Sequence, residues 1–116
     1  METLHTFRRK TFQYDGLQDG SFRIYTGKGL HKGSKRPTLM IKPEIIDLVK
    51  REIAARRRVM MGASRDNPPP LSLGAMLLDM GQTPQLLSYL IPILAQQGYC
   101  RTTNQDRACL VVYLTN

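Results

Sequence analysis

Residues Leu71–Cys100 read LSLGAMLLDMGQTPQLLSYLIPILAQQGYC, and the punctuation of this stretch sets two helices against each other. Ser72 is an N-cap residue type, and Leu73, Met76, Leu77 and Met80 then recur at helical spacing, which gives a short first helix. Gly81 ends it, because glycine takes up left-handed backbone without a steric penalty. Thr83-Pro84 opens a second helix, with threonine as N-cap and proline at the first helical position, where a missing N–H is no loss. That helix runs to about Gln97 and stops at Gly98. Tyr99–Thr103 (YCRTT), a polar turn at Asn104–Arg107 and Cys109–Leu114 (CLVVYL) then make a β-hairpin.

A short helix, a glycine turn, a longer helix and an immediate hairpin together resemble the winged helix-turn-helix DNA-binding family, over roughly residues 71–114. The family's pattern falls on Leu77, Gly81, Thr83, Pro84, Leu87, Ile91, Leu94, Gly98 and Tyr99. The resemblance implies that Pro84–Gln97 is the recognition helix and Thr102–Arg107 the wing. It further implies that Gln85, Leu86, Ser88 and Tyr89 face the major groove. Gln85 would reach the N6 and N7 edge of adenine, Ser88 or Tyr89 a base or phosphate, and Arg107 the backbone or minor groove. Two features depart from the family's usual chemistry. No Lys or Arg lies between Asp66 and Cys100, and Leu86, Leu90 and Ile93 add apolar surface beside the Leu87–Ile91–Leu94 stripe. That extra surface is expected to seat a second copy or a partner. Pro92 cannot donate to Ser88 and is expected to kink the helix.

Outward from this stretch, the positive charge lies upstream. Residues 1–65 hold 15 basic and 6 acidic side chains, a net of +9, whereas residues 66–116 hold 2 and 3, a net of −1. Such a cationic block is a polyelectrolyte-binding footprint, for which nucleic acid ranks ahead of a membrane surface or an acidic protein. Ser21–Thr26 (SFRIYT) and Pro37–Ile41 (PTLMI) suit the two strands of an N-terminal hairpin with Gly27–Lys35 (GKGLHKGSK) as its basic tip. Gly27-Lys28-Gly29 lacks the Walker spacing, so the tip is read as a finger placing Lys28, Lys32, Lys35 and Arg36 on a nucleic-acid backbone. Arg8-Arg9-Lys10 adds charge ahead of turn formers at Asp15-Gly16 and Asp19-Gly20. Pro43 starts a helix whose Ile45, Leu48, Val49 and Ile53 form a core-facing stripe. It ends near Arg56, Arg57 and Arg58. Dipole complementarity and the pairs Asp47→Arg51 and Glu52→Arg56 leave part of that cluster unneutralised, so the three arginines are expected on phosphates. Ser64–Pro70 (SRDNPPP) reads as an extended loop.

The expected fold is α+β: a winged helix-turn-helix over residues 42–116 with a basic N-terminal β-hairpin extension over residues 1–41, sharing one core. The expected function is sequence-specific binding of double-stranded DNA by a small transcriptional regulator acting as a homodimer. The alternative is an assembly or accessory protein of DNA replication, partition or packaging, whose winged helix binds protein while the basic half holds nucleic-acid backbone. RNA is a third reading, but Phe22 and Tyr25 point to opposite faces of one strand and cannot stack bases from one platform. No His, carboxylate and nucleophile share a suggestive spacing, so neither catalysis nor a cofactor is expected. Cys100 and Cys109, far in sequence from His5 and His31, lack the spacing of a zinc site. Both are expected to be reduced thiols of a cytoplasmic protein, opposite each other across the hairpin. METLHTFRRK is followed by no apolar segment and no run of about 18 apolar residues occurs, so neither a secretory signal nor a membrane span is expected.

Overall fold

Strand alternation organises the N-terminal third. In the computed structural model, which describes residues 2–6, 10–26, 37–63, 68–104 and 110–114, β1 (Glu2–His5), β2 (Thr11–Gly16), β3 (Phe22–Thr26) and β4 (Leu39–Ile41) form an antiparallel meander. The extension is therefore a four-stranded sheet where a hairpin was expected. β3 and β4 do pair, Ile24 opposite Leu39, but β2 takes the other edge of β3 and β1 the other edge of β2. The turn formers divide: Asp15-Gly16 ends β2, while the reversal itself falls on residues 17–20. There Asp19 accepts hydrogen bonds from the Ser21 hydroxyl and N–H, which hold its carboxyl below the usual range. Phe12, Tyr14, Ile24 and Ile41 share one face and are buried with the helices in a single apolar cluster. Tyr25, on the opposite face, is buried as well, so it offers no stacking surface for a base.

α1 (Pro43–Arg56) starts at the proline and buries Ile45, Ile46, Val49 and Ile53, while Leu48 is only half-buried. Arg57 then adopts left-handed backbone (φ 62°), its N–H donating to the Ile53 carbonyl, and turns the chain at once into β5 (Arg58–Met60). β5 pairs with β7 (Leu110–Leu114), which pairs in turn with β6 (Cys100–Asn104), so the order is β5-β7-β6. A three-residue strand has no periodicity to betray it, and β5 was not expected. Val59 and Val112 lie opposite each other and close the core on this side.

The register corrects one expectation. Cys100 pairs with Leu114 and Asn104 with Leu110, so Cys100 does not face Cys109, which lies outside the described residues. Cys100 is a free, buried thiol, and burial pushes its pKa up to about 11.

The two helices of the central stretch end where the punctuation places them. Ser72 caps α2 (Leu73–Asp79): its hydroxyl accepts from the Ala75 N–H at 3.1 Å and donates to the Pro69 carbonyl at 2.6 Å. Thr83 accepts from the Gln85 N–H and opens a 3-10 turn, Pro84–Leu86, that leads into α3 (Leu87–Gln96). Gly81 and Gly98 both have positive φ and close α2 and α3 with the same pair of reversed bonds. Gly81 donates to Leu78 and Gln82 to Leu77, as Gly98 does to Ala95 and Tyr99 to Leu94. Pro92 does not end α3, which is continuous through it. Among the described residues, no helix is long and apolar enough to cross a membrane.

Candidate nucleic-acid interface

α3 is apolar on two sides, and both are used inside the chain. Leu87, Ile91 and Leu94 are fully buried. Leu86, Leu90 and Ile93, expected to meet a second copy, are 3%, 0% and 0% exposed. All three belong to the single apolar cluster that the helices share with the N-terminal sheet, which packs on one side of α3. Leu86, Tyr89, Ile93 and Gln96 recur on one helix face; the Tyr89 ring meets Phe12 edge-on at 5.2 Å, and the Tyr14 hydroxyl donates to Gln96 Oε1 at 3.5 Å. The apolar stripe assigned to a partner is thus buried inside the chain, in the core that the sheet and the helices share. A sequence pattern shows that a surface must be covered, but an intramolecular cover and a second copy satisfy it equally.

What remains at the surface of this helix and of the 3-10 turn before it is a narrow strip. Gln85 is exposed, Ser88 and Pro92 are half-buried, and Gln96 is exposed at the far end. The strip carries no charge. Tyr89 borders it, half-buried and committed to Phe12, so of the residues assigned to base recognition Gln85 and Ser88 are the accessible pair.

The triple arginine at the end of α1 is divided by backbone geometry. Arg56 closes the helix and is tied down along the surface: Nη1 donates to the Leu71 carbonyl at 2.6 Å and lies 3.7 Å from Glu52, one turn back. Arg57 is exposed in the left-handed turn. Arg58 belongs to β5, where alternation sends it to the side opposite Val59 and away from the core. The three therefore do not act as one grip. Of the two expected pairs on α1 only Glu52–Arg56 forms; among the described residues Asp47 and Arg51 make no ion pair.

Three tyrosine–cation contacts, on two tyrosines, were not anticipated. Tyr99 donates its hydroxyl to the Lys50 carbonyl at 2.6 Å while the Lys50 ammonium lies 5.1 Å from its ring centre, tying α1 to the entry of β6. Burial, with the Cys100 thiolate adding, raises the Tyr99 pKa. On β7, Tyr113 lies opposite both Arg58 and Arg101, whose guanidinium carbons stand 5.8 and 5.4 Å from its ring centre. The charge of Arg101 was visible in the sequence, but its neighbours depend on the β5-β7-β6 order.

Lys28, Lys32, Lys35, Arg36 and Arg107 lie outside the described residues. Among the described residues, no group of three or more His, Cys, Asp or Glu is placed to hold a metal ion. No protein-family model matches the chain, and neither a curated protein nor a solved structure matches it significantly.

Proposed function

We propose that this chain is a non-enzymatic, double-stranded DNA-binding protein whose C-terminal part is a winged helix-turn-helix. The observation that carries this reading is the connection of its elements: α1, β5, α2, α3, β6 and β7 follow in that order, and β7 lies between β5 and β6. A helix pair followed at once by the β6–β7 hairpin is what the resemblance of residues 71–114 calls for, and β5 adds a third strand to that hairpin. The formal net charge of +8 supplies the general attraction to a polyanion. Affinity on this reading comes from basic side chains outside α3, because the exposed strip of that helix is neutral. Base recognition is confined to Gln85 and Ser88, and the protein is a backbone-led binder with modest readout. With Leu86, Leu90 and Ile93 spent in the core, the proposal includes no dimer through α3.

A second reading has one observation in its favour. The neutral strip of Gln85, Ser88 and Gln96 suits protein contact as well as DNA, which keeps an assembly or accessory factor in play. Selection from a randomised duplex pool, followed by fluorescence anisotropy across a salt series, separates the two. A recovered motif that Gln85→Ala/Ser88→Ala loses, with general affinity retained, supports base readout through α3. Binding with a steep salt dependence and no enriched motif assigns α3 to protein contact. Absence of duplex binding at low salt refutes the DNA reading altogether.

A further inference from the structure

We propose that the outer face of the β5-β7-β6 sheet is a phosphate-binding site, in which Arg58 and Arg101 hold the sugar–phosphate backbone of a nucleic-acid duplex and Tyr113 sets their positions. The inference rests on the DNA reading above for its ligand, and it assigns that ligand to residues outside both α3 and the wing tip.

The site follows from register. Arg58, Tyr113 and Arg101 are direct cross-strand neighbours on three adjacent strands, so their side chains rise from one transverse row. The next row, Val59 and Val112, faces the core, which places the arginine row on the outer face. Arg58 and Arg101 are exposed and Tyr113 is half-buried. Two inter-strand spacings separate the arginine backbones by about 10 Å, too far to converge on one phosphate without reaching but suited to two phosphates of one duplex. The ring between them holds both guanidiniums by cation–π attraction, which restricts arginine rotamers before any ligand arrives.

Among the described residues, nothing on the sheet competes for these charges. β5, β6 and β7 contain no Asp or Glu, and among the described residues neither arginine makes an ion pair. Arg56 and Arg23, by contrast, are each matched to a carboxylate, by Glu52 and Asp15. Two exposed, fixed, unneutralised guanidiniums over a flat sheet repel each other in the free protein, and a phosphodiester backbone relieves that repulsion at both. Arginine suits the task because its planar fork can present two N–H donors to one phosphate.

The test uses the whole chain, a fluorescent random-sequence duplex and anisotropy across a salt series. Arg58→Gln/Arg101→Gln is expected to make the log–log salt dependence shallower by about 1.8, the value for two lost phosphate contacts. Lys10→Gln/Arg51→Gln removes the same charge from exposed positions elsewhere and is expected to change the slope less. Tyr113→Leu keeps both cations, so its slope should match wild type while binding weakens about fivefold, and Tyr113→Phe should restore the affinity because the ring is retained. Independently of any substitution, the Arg58 and Arg101 Nε–H resonances of the wild-type chain should shift on adding the duplex. A wild type that binds while both double variants change the slope equally, or with the two Nε–H resonances unmoved, overturns the arginine–tyrosine site and leaves the DNA proposal standing. A wild type that binds no duplex at low salt overturns both.

Discussion

Gly74 shows how tightly single residues are constrained where α2 begins. Its N–H donates to the Met61 carbonyl at 2.9 Å, and a Cβ there would fall on the Gly62 carbonyl oxygen, with Pro68 Cβ only 3.2 Å away. Backbone cannot yield as a side chain can, so Gly74→Ala is expected to destabilise the fold by about 3 kcal/mol, measured by urea unfolding. Ser72 beside it is 1% exposed and satisfies two partners with one hydroxyl. Ser72→Ala removes the cap and strips the Pro69 carbonyl of that donor, a loss of about 1–2 kcal/mol in the same assay. Cys100 adds a pH dependence. Burial favours the neutral thiol and raises its pKa from 9.0 to about 11, so the stability it contributes is complete below pH 9 and is lost as pH rises toward 11. Tyr99, also raised by burial, acts in the same direction. The urea midpoint should fall across that alkaline window, and Cys100→Ala should make the fall shallower; an unchanged pH profile in the variant would remove the thiol from the account. The cap at Ser72 was readable in sequence. The closeness of Gly74 to Gly62 was not, because it is a contact between residues twelve positions apart that no local preference specifies.

At the scale of elements, the local signals worked where one residue type decides a boundary. Pro43 opens α1, Ser72 and Thr83 accept from the N–H groups of Ala75 and Gln85, and Gly81 and Gly98 end α2 and α3. They failed for β1, β2 and β5. In TFQYDG the alternation of Phe12 and Tyr14 was present, but Asp15-Gly16 read more strongly as a turn. β5 exists only because β7 supplies its hydrogen-bonding edge. α3 was located apart from its first turn, which is 3-10 over Pro84–Leu86, and its surroundings were not. Because Leu90 is fully buried, Leu90→Glu should abolish cooperative thermal unfolding, a cost above about 4 kcal/mol, instead of merely separating a dimer. A variant that still melts cooperatively near the wild-type temperature would return Leu90 to the surface.

Across the whole molecule, the N-terminal sheet and the helices share one apolar cluster, with α3 at the seam. α3 is therefore covered by layers that must both separate before its amides reach water. Its slowest-exchanging amides are expected to exchange only through global unfolding, with the free energy found in urea, while those of β1, an edge strand, exchange sooner; exchange of α3 well ahead of global unfolding would mean that the sheet lifts off as a unit. The candidate interface divides in the same way. Charge counts located the basic half, and the composition of α3 showed that it lacks cations, but strand order alone brought Arg58, Tyr113 and Arg101 into one row. By itself, then, the sequence determined what is local: helix ends, the hairpin strands, the asymmetry of charge and the presence of a second apolar stripe on α3. These follow from backbone preferences and composition, which act within a few residues. The tertiary structure decided what covers that stripe, which strand fills the middle of the second sheet and where each of the three arginines points, because those outcomes depend on pairing between segments distant in the chain.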